Sequence, residues 1–265
     1  MKKLELYQID AFASELFKGN PAAVCILDSW LPEALMQAIA AENNLAETAF
    51  AVPAQGGYEI RWFTPELEVA LCGHATLATA HVLFNTLENT ADHLQFFSRE
   101  RGVLTVTRTG KNLILDFPVD PPKPVQIPAG LAEAIGAAPL ECLQGSTDYL
   151  LIYPSQEALD AIEPDHTRLG KIPARGVIVS APGKEVDFVS RFFAPQSGVP
   201  EDPVTGSAHT VQTPYWAAHF GKTKLTAQQR SPRGGFLHCE LRGDRVHIAG
   251  QAVTYMKAEI YLPEA

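Results

Sequence analysis

The residues with the clearest capacity for chemistry lie at two glycine junctions, Leu71-Cys72-Gly73-His74-Ala75 and Thr205-Gly206-Ser207-Ala208. A glycine where an extended stretch passes into a helix lets backbone N–H groups reach a ligand. The unpaired donors and dipole of a helix N-terminus favour an anion there. Two such ends facing each other would make a pocket for a small carboxylate. His74 falls in the first helical turn, where the positive dipole end disfavours its charged form, so a neutral imidazole able to donate or accept is expected. Asp202 and Ser207 are the matching polar groups at the second junction, and Glu47 stands where a polar loop enters an apolar strand. Each also has an ordinary structural role open to it. His74 can fill a core, Asp202 or Ser207 can cap a helix, Glu47 can face solvent and Asn20 can close a turn.

Other chemistries fit less well. Thr205-Gly206-Ser207-Ala208-His209 resembles a nucleophile elbow only superficially: Ser207 directly follows Gly206, and position 209 is His, so G-x-S-x-G is missing. No G-x-G-x-x-G or Walker A pattern supports a dinucleotide or NTP site. His81, His209 and His219 match no metal spacing such as HExxH and read as structural; no metal is expected. Cys25, Cys72, Cys142 and Cys239 are scattered without a CxxC pair, which argues against a disulfide framework or a zinc knuckle. Cys25, Cys142 and Cys239 read as small buried hydrophobes.

The elements that must position these residues follow from pattern. Leu4 to Phe12 reads as a strand, then a loop at Lys18-Gly19-Asn20-Pro21 and a short strand from Ala22 to Leu27. Ser29 is the expected N-cap of a helix with Pro32 early and Leu35, Met36, Ile39 and Ala40 at helical spacing. Tyr58 to Phe63 forms a strand ended by Pro65. Ala75 to Phe84 has no charged side chain, the pattern of a helix buried all round, which a sheet wrapped about one central helix would supply. Ser98 to Thr107 and Asn112 to Phe117 read as a hairpin around Gly110-Lys111.

The second half repeats the first. Gly73 and Gly206, Ser98 and Ser231, Gly102 and Gly235, and Gly110 and Gly243 are each 133 apart (206 − 73, 231 − 98, 235 − 102, 243 − 110). A constant offset across a helix, a strand and a turn indicates an internal duplication. Upstream, Arg61-Trp62-Phe63-Thr64-Pro65 is echoed by Arg191-Phe192-Phe193-Ala194-Pro195 at an offset of 130 (191 − 61), so three residues are added around Glu201-Asp202-Pro203-Val204-Thr205. Pro214 should kink or restart the second helix. The proline-rich stretch 118–129 reads as a linker between domains at 1–117 and 130–256.

Bulk properties narrow the class. With 265 residues, 46% hydrophobic and 19% charged, the chain is globular in composition. A formal charge of −9 and the lack of a basic cluster oppose nucleic-acid binding. Glu5 and Asp10 interrupt any signal-peptide core, and no apolar run of about 18 residues occurs. A cytoplasmic protein without a membrane partner is expected.

Gly19-Asn20-Pro21-Ala22, Glu47-Thr48-Ala49-Phe50, Leu71 to Thr76, Glu201 to Ala208 and Arg233-Gly234-Gly235, in this order over nearly the whole chain, resemble the PhzF-like isomerases of phenazine biosynthesis. The resemblance implies an α+β, diaminopimelate epimerase-like fold of two pseudo-symmetric domains, each a mixed β-barrel around a central helix. The C-terminal tail, 257–265, would join the first domain. It further implies a cofactor-free proton shift in a small carboxylic acid, with Glu47 as general acid/base in a dry cleft that raises its pKa. His74 and Asp202 would assist, while Asn20, Gly73, Gly206 and Ser207 hold substrate, and relatives suggest a homodimer. Ala46 departs from members with serine before the glutamate, so the substrate is expected to differ. Cys72 sits where related racemases place a thiol, but the second junction offers Asp202 and Ser207, not a second cysteine. A non-catalytic metabolite-binding protein on the same fold is the alternative.

Overall fold

The computed structural model describes residues 2–87 and 89–263. In chain order the elements are β1 (Lys2–Ala11), β2 (Asn20–Ile26), α1 (Glu33–Asn43), β3 (Glu47–Ala54), β4 (Gly57–Phe63), β5 (Glu68–Val69), α2 (Gly73–His81), β6 (His93–Ser98), β7 (Gly102–Thr109) and β8 (Asn112–Pro118). There follow β9 (Lys123–Pro124), α3 (Leu131–Ile135), β10 (Glu141–Gln144), β11 (Asp148–Ile152), α4 (Gln156–Asp160), α5 (His166–Leu169), β12 (Gly176–Pro182), β13 (Phe188–Phe193), α6 (Gly206–Phe220), β14 (Lys224–Gln229), β15 (Gly235–Arg242), β16 (Arg245–Gly250) and β17 (Ala252–Leu262). The architecture is mixed α+β. None of these helices is long and apolar enough to cross a membrane.

The chain divides into two compact units, Met1–Asp116 with Ala249–Ala265, and Phe117–Ile248. The two follow one wiring plan. In the first, β1 pairs antiparallel with β2, β2 parallel with β3, β3 antiparallel with β4, β4 parallel with β6, and β6 antiparallel with β7. In the second, β10–β11, β11–β12, β12–β13, β13–β14 and β14–β15 repeat that series of directions. The 133-residue offset survives at the element starts: Gly73 and Gly206 open helices, Gly102 and Gly235 open strands, and Asn112 and Arg245 open the next strands.

Prolines do not make 118–129 a linker. Asp120 N–H bonds to Thr210 O at 3.2 Å, β9 pairs with β10, and Val125 N–H bonds to Cys142 O, so the stretch is part of the second unit. The return to the first unit comes at Ala249, earlier than 257, because β17 pairs along the whole of β1. β9 against β10 and β17 against β1 are thus the same addition made once per unit.

Each sheet is covered on both faces. In the first unit Met36, Ile39 and Ala40 of α1 pack with Cys25, Phe50 and Phe63, while α2, buried from His74 to Ala80, lies against β1, β2 and β3. Strands buried on both sides need small or apolar residues on both, which β2 supplies in Ala22, Ala23, Val24 and Cys25. In the second unit Leu131, Leu159 and Leu169 of the short helices cover one face. Trp216 of α6 serves the other, stacking on Phe188 and donating to Ser180 Oγ at 2.9 Å.

The duplication also shows in two arginines. Arg61 on β4 donates to Glu68 and lies over the Phe63 ring; Arg191 on β13 donates to Glu201 and lies over Phe193. Planar guanidinium suits both contacts at once.

Three local expectations differ. Ser29 does not cap α1; Pro32 occupies the cap position, and its carbonyl accepts from Leu35 and Met36. The apolar run after Gly73 leaves α-geometry at Val82 and ends in a π-turn, Val82–Thr86. Pro214 neither breaks nor restarts α6, which runs from Gly206 to Phe220. The carbonyl a proline frees is four residues back, Thr210, and Asp120 N–H takes it up.

Candidate active site

In the first unit three short elements bring Asn20, Glu47, Cys72 and His74 together. Asn20 opens β2 and Glu47 opens β3. These strands are parallel neighbours, with Ala22 opposite Glu47, so both side chains sit at one end of the sheet. Gly19 sets this end: its φ is +67°, and a Cβ there would lie 2.1 Å from Ala11 O, so no other residue fits without moving backbone. Cys72 is the residue before α2 and His74 its second residue, with Gly73 opening the helix. Thr76 ties the turn by donating to Cys72 O through both its amide and its hydroxyl.

Glu47 Oε2 lies 3.1 Å from His74 Nε2, with the side chains 19% and 7% exposed. The Asn20 carboxamide is 3.3 Å from His74 Nδ1, and Cys72 Sγ is 3.5 Å from the same nitrogen. Burial alone would raise Glu47, but the charge on His74 and polar contact with His74 and Cys72 outweigh it and hold the carboxyl below its usual range. Burial likewise acts to lower His74, yet the neighbouring Cys72 sulfur and Glu47 carboxylate carry it well above the ordinary imidazole value.

Both expectations about charge are therefore corrected. Glu47 is an ionised carboxylate rather than one raised toward neutrality, and His74 is an imidazolium rather than a neutral ring. An anion at about 3 Å in a low-dielectric site outweighs a helix dipole equivalent to about half a charge. An imidazolium donates from both nitrogens, so Nδ1–H points to Cys72 Sγ or to the carbonyl oxygen of an Asn20 carboxamide turned for that purpose. Cys72 itself stays a thiol: burial, then the Glu47 charge, push it up to about 11.

The second unit holds Asp202, Gly206 and Ser207 at the start of α6. Thr205 precedes the helix in extended conformation and donates its hydroxyl to Asp202 Oδ2. Gln229, fully buried on β14, braces the turn: it accepts from Thr205 N–H at 2.8 Å and donates to Asp202 O at 2.7 Å. Thr205, the residue before α6, makes no side-chain cap bond to the helix. A Cβ on Gly206 would meet nothing within 4 Å, so the space over that residue is open. Ser207 Oγ accepts from Arg175 Nη2 at 3.0 Å, and Arg175 is paired with the buried carboxylate of Asp148.

Arg175 and Gln229 escape a reading of sequence alone. Nothing in the 27 residues from Asp148 to Arg175 marks a pair. For Gln229 one signal exists: the residue 133 earlier is Phe96, a core aromatic, so the repeat exchanges a buried ring for a buried carboxamide beside the added residues.

Among the described residues one group has metal-ligand potential: ligand atoms of Glu47, Cys72 and His74 all lie within 4.8 Å of one another. All four cysteines are buried and free, and Cys142 and Cys239 belong to β10 and β15, not to the start of α6. A matched pair of thiols at the two helix starts is thus absent, as the sequence indicates.

The family model for "Phenazine biosynthesis-like protein" matches residues 9–258. An uncharacterized isomerase of Pseudomonas aeruginosa is 51% identical over 260 residues, covering 98% of this chain and 100% of that protein. A crystal structure of a PhzF-family phenazine biosynthesis protein from Enterococcus faecalis superposes with a TM-score of 0.96 at 48% identity, covering 98% of this chain and all of that one. A hydroxyproline epimerase from Agrobacterium vitis, at 10% identity and a TM-score of 0.60, shares the fold alone.

Proposed function

Because this chain belongs to the phenazine biosynthesis-like (PhzC-PhzF) family, with curated relatives named isomerases, we propose that it is an isomerase that moves a proton, and with it a double bond, in a small carboxylic acid. The 3.1 Å Glu47–His74 pair is the observation that carries this reading. An ionised carboxylate is a base and the imidazolium beside it an acid, so one pair can take a proton from one carbon and deliver a proton to another. Glu47 abstracts, and the electron pair left behind shifts the double bond. His74 is positioned to donate or to return the proton through Glu47. Both groups equilibrate with solvent before substrate binds, so in heavy water the proton delivered to carbon is a deuteron.

Asn20 orients His74 through Nδ1. To the second unit we assign recognition: the Gly206 and Ser207 amides and the Ser207 hydroxyl, held by Arg175, take a carboxylate, and Asp202 assists proton transfer. The Gly73 amide has the same anion-binding role in the first unit. The chemistry asks for an acid and a base and no further group. We assign the working form as a cytoplasmic homodimer.

The test is incubation in heavy water with pooled small carboxylic acids, including a dihydro-hydroxyanthranilate, for wild type and Glu47→Gln. Carbon-bound deuterium read by mass spectrometry in wild type alone supports the reading. Tight binding of a compound with no label incorporated points instead to a metabolite-binding protein.

A further inference from the structure

We propose that Glu47, Cys72 and His74 form a zinc site, and that Zn2+ bound there stops proton transfer. The second half of this statement rests on the function proposed above; the first does not. His74 Nε2 lies 3.1 Å from Glu47 Oε2 and 4.0 Å from Cys72 Sγ, and all three donors fall within 4.8 Å of one another. Zinc bonds of about 2.3 Å to sulfur and 2.0–2.2 Å to nitrogen and oxygen, at tetrahedral angles, require donors roughly 3.3–3.6 Å apart. Glu47 and His74 are already at ligand spacing, and Cys72 Sγ, which lies 3.5 Å from Nδ1, completes a three-ligand site with one position open on rotation about its Cα–Cβ bond toward Nε2.

The donor set selects the ion. A thiolate, an imidazole and a carboxylate suit zinc, whereas magnesium and calcium take oxygen. Coordination sends the Cys72 thiol proton and the Nε2 proton of His74 to solvent. A thiolate and a carboxylate then balance the ion's two charges, which offsets the unfavourable positive end of α2. The Asn20 carboxamide nitrogen lies 3.3 Å from Nδ1, and turning that carboxamide over brings its carbonyl oxygen there to accept the remaining ring proton, the arrangement that commonly orients a metal-bound histidine. The backbones of Cys72 and Glu47 are fixed by the turn before α2 and by the β2–β3 ladder, so the site forms without refolding. Metal there occupies both the base and the acid.

The test uses metal alone on the full chain. Titration with Co2+ should produce a near-ultraviolet sulfur-to-cobalt charge-transfer band that saturates at one ion per chain and is erased by Zn2+. Cys72→Ser should remove the band, and His74→Gln should weaken Zn2+ binding at least tenfold by calorimetry. Circular dichroism of each variant checks folding. A band that persists in Cys72→Ser, or Zn2+ affinity equal in wild type and His74→Gln, would overturn the site. Stoichiometric zinc binding with label exchange continuing at the metal-free rate would overturn the inhibition. Zinc binding by a protein that never exchanges carbon-bound protons supports the site and rejects the isomerase.

Discussion

Glu47 Oε2 and His74 Nε2 lie 3.1 Å apart, one on the first residue of a strand and the other in the first turn of the helix packed against that strand's sheet. Each sets the charge of the other. Glu47→Gln keeps the shape and removes the base, so label exchange should fall by about 10²–10⁴-fold while the far-ultraviolet spectrum is unchanged. The His74 ring should then titrate at lower pH than in wild type, as measured by NMR of the imidazole protons. Exchange at the wild-type rate in Glu47→Gln would sink the mechanism.

The same pair makes stability depend on pH. His74 is raised above its unfolded value of 6.5, so its contribution is full below 6.5 and is lost as pH rises through the higher folded value. Glu47 is lowered below its unfolded value of 4.5, so its contribution is full above 4.5 and is lost as pH falls through the lower folded value. The coupling between Glu47→Gln and His74→Gln in a double-mutant cycle should therefore be largest between about 4.5 and 6.5 and shrink on both sides. Urea unfolding across pH checks this, and a coupling that grows steadily into alkali would contradict it.

Gln229 is predicted to be a stability residue with a functional address. Gln229→Ala leaves the Thr205 amide and the Asp202 carbonyl without their buried partner, at about 1–3 kcal/mol for each unsatisfied group. A loss of a few kcal/mol in denaturant unfolding is expected. Arg175→Ala should both raise KM, because it releases the Ser207 hydroxyl, and destabilise the fold, because it strands the buried Asp148 carboxylate. Arg175→Lys, which keeps the charge, should recover stability before it recovers KM.

Two glycines with nearly the same φ should respond differently. Gly19→Ala places a Cβ 2.1 Å from Ala11 O at φ +67°, whereas Gly110 has φ +60° and nothing within 4 Å of its Cβ. Gly110→Ala should cost about 1–2 kcal/mol, the left-handed penalty alone. Gly19→Ala should cost more and also lower activity by displacing Asn20. Equal melting shifts for the two variants would show that the backbone at Ala11 yields freely.

Arg61 offers a test of burial against contact. It donates at 2.6 Å to Glu33, which is 66% exposed, and also to Glu68, which is 29% exposed. An exposed pair contributes about 0–1 kcal/mol, while a shielded one matters more because the 4% exposed guanidinium has no water to replace its partner. Glu68→Gln should therefore destabilise the protein clearly more than Glu33→Gln in thermal unfolding.

Much of this protein is legible in its residues. The 133-residue offset reports the duplication, since a helix start, a strand start and a hairpin turn each need glycine at the same place. The run from Ala75 reports a buried helix, since only burial on every side tolerates a turn-by-turn lack of charge. Asn20, Glu47 and His74 could be named through the resemblance, but their meeting could not: they are 27 residues apart in each step, and the β2–β3 ladder and the seat of α2 bring them together.

The charge states also waited on the tertiary structure. A helix N-terminus argues for a neutral His74 and a dry cleft for a raised Glu47, and each argument holds for a residue considered singly. Proximity reverses both, because the charges and hydrogen bonds of the neighbouring side chains together outweigh burial, the largest single effect on each. So does placement for Pro214, whose break is avoided by an amide 94 positions earlier (214 − 120), and for the proline-rich 118–129, in which Lys123–Pro124 pairs with β10. Demands for small, apolar or turn-forming residues act within a few neighbours and are therefore written in the local pattern. Which polar groups face each other depends on distances that no local pattern encodes, and so emerges only when the strands and helices are packed.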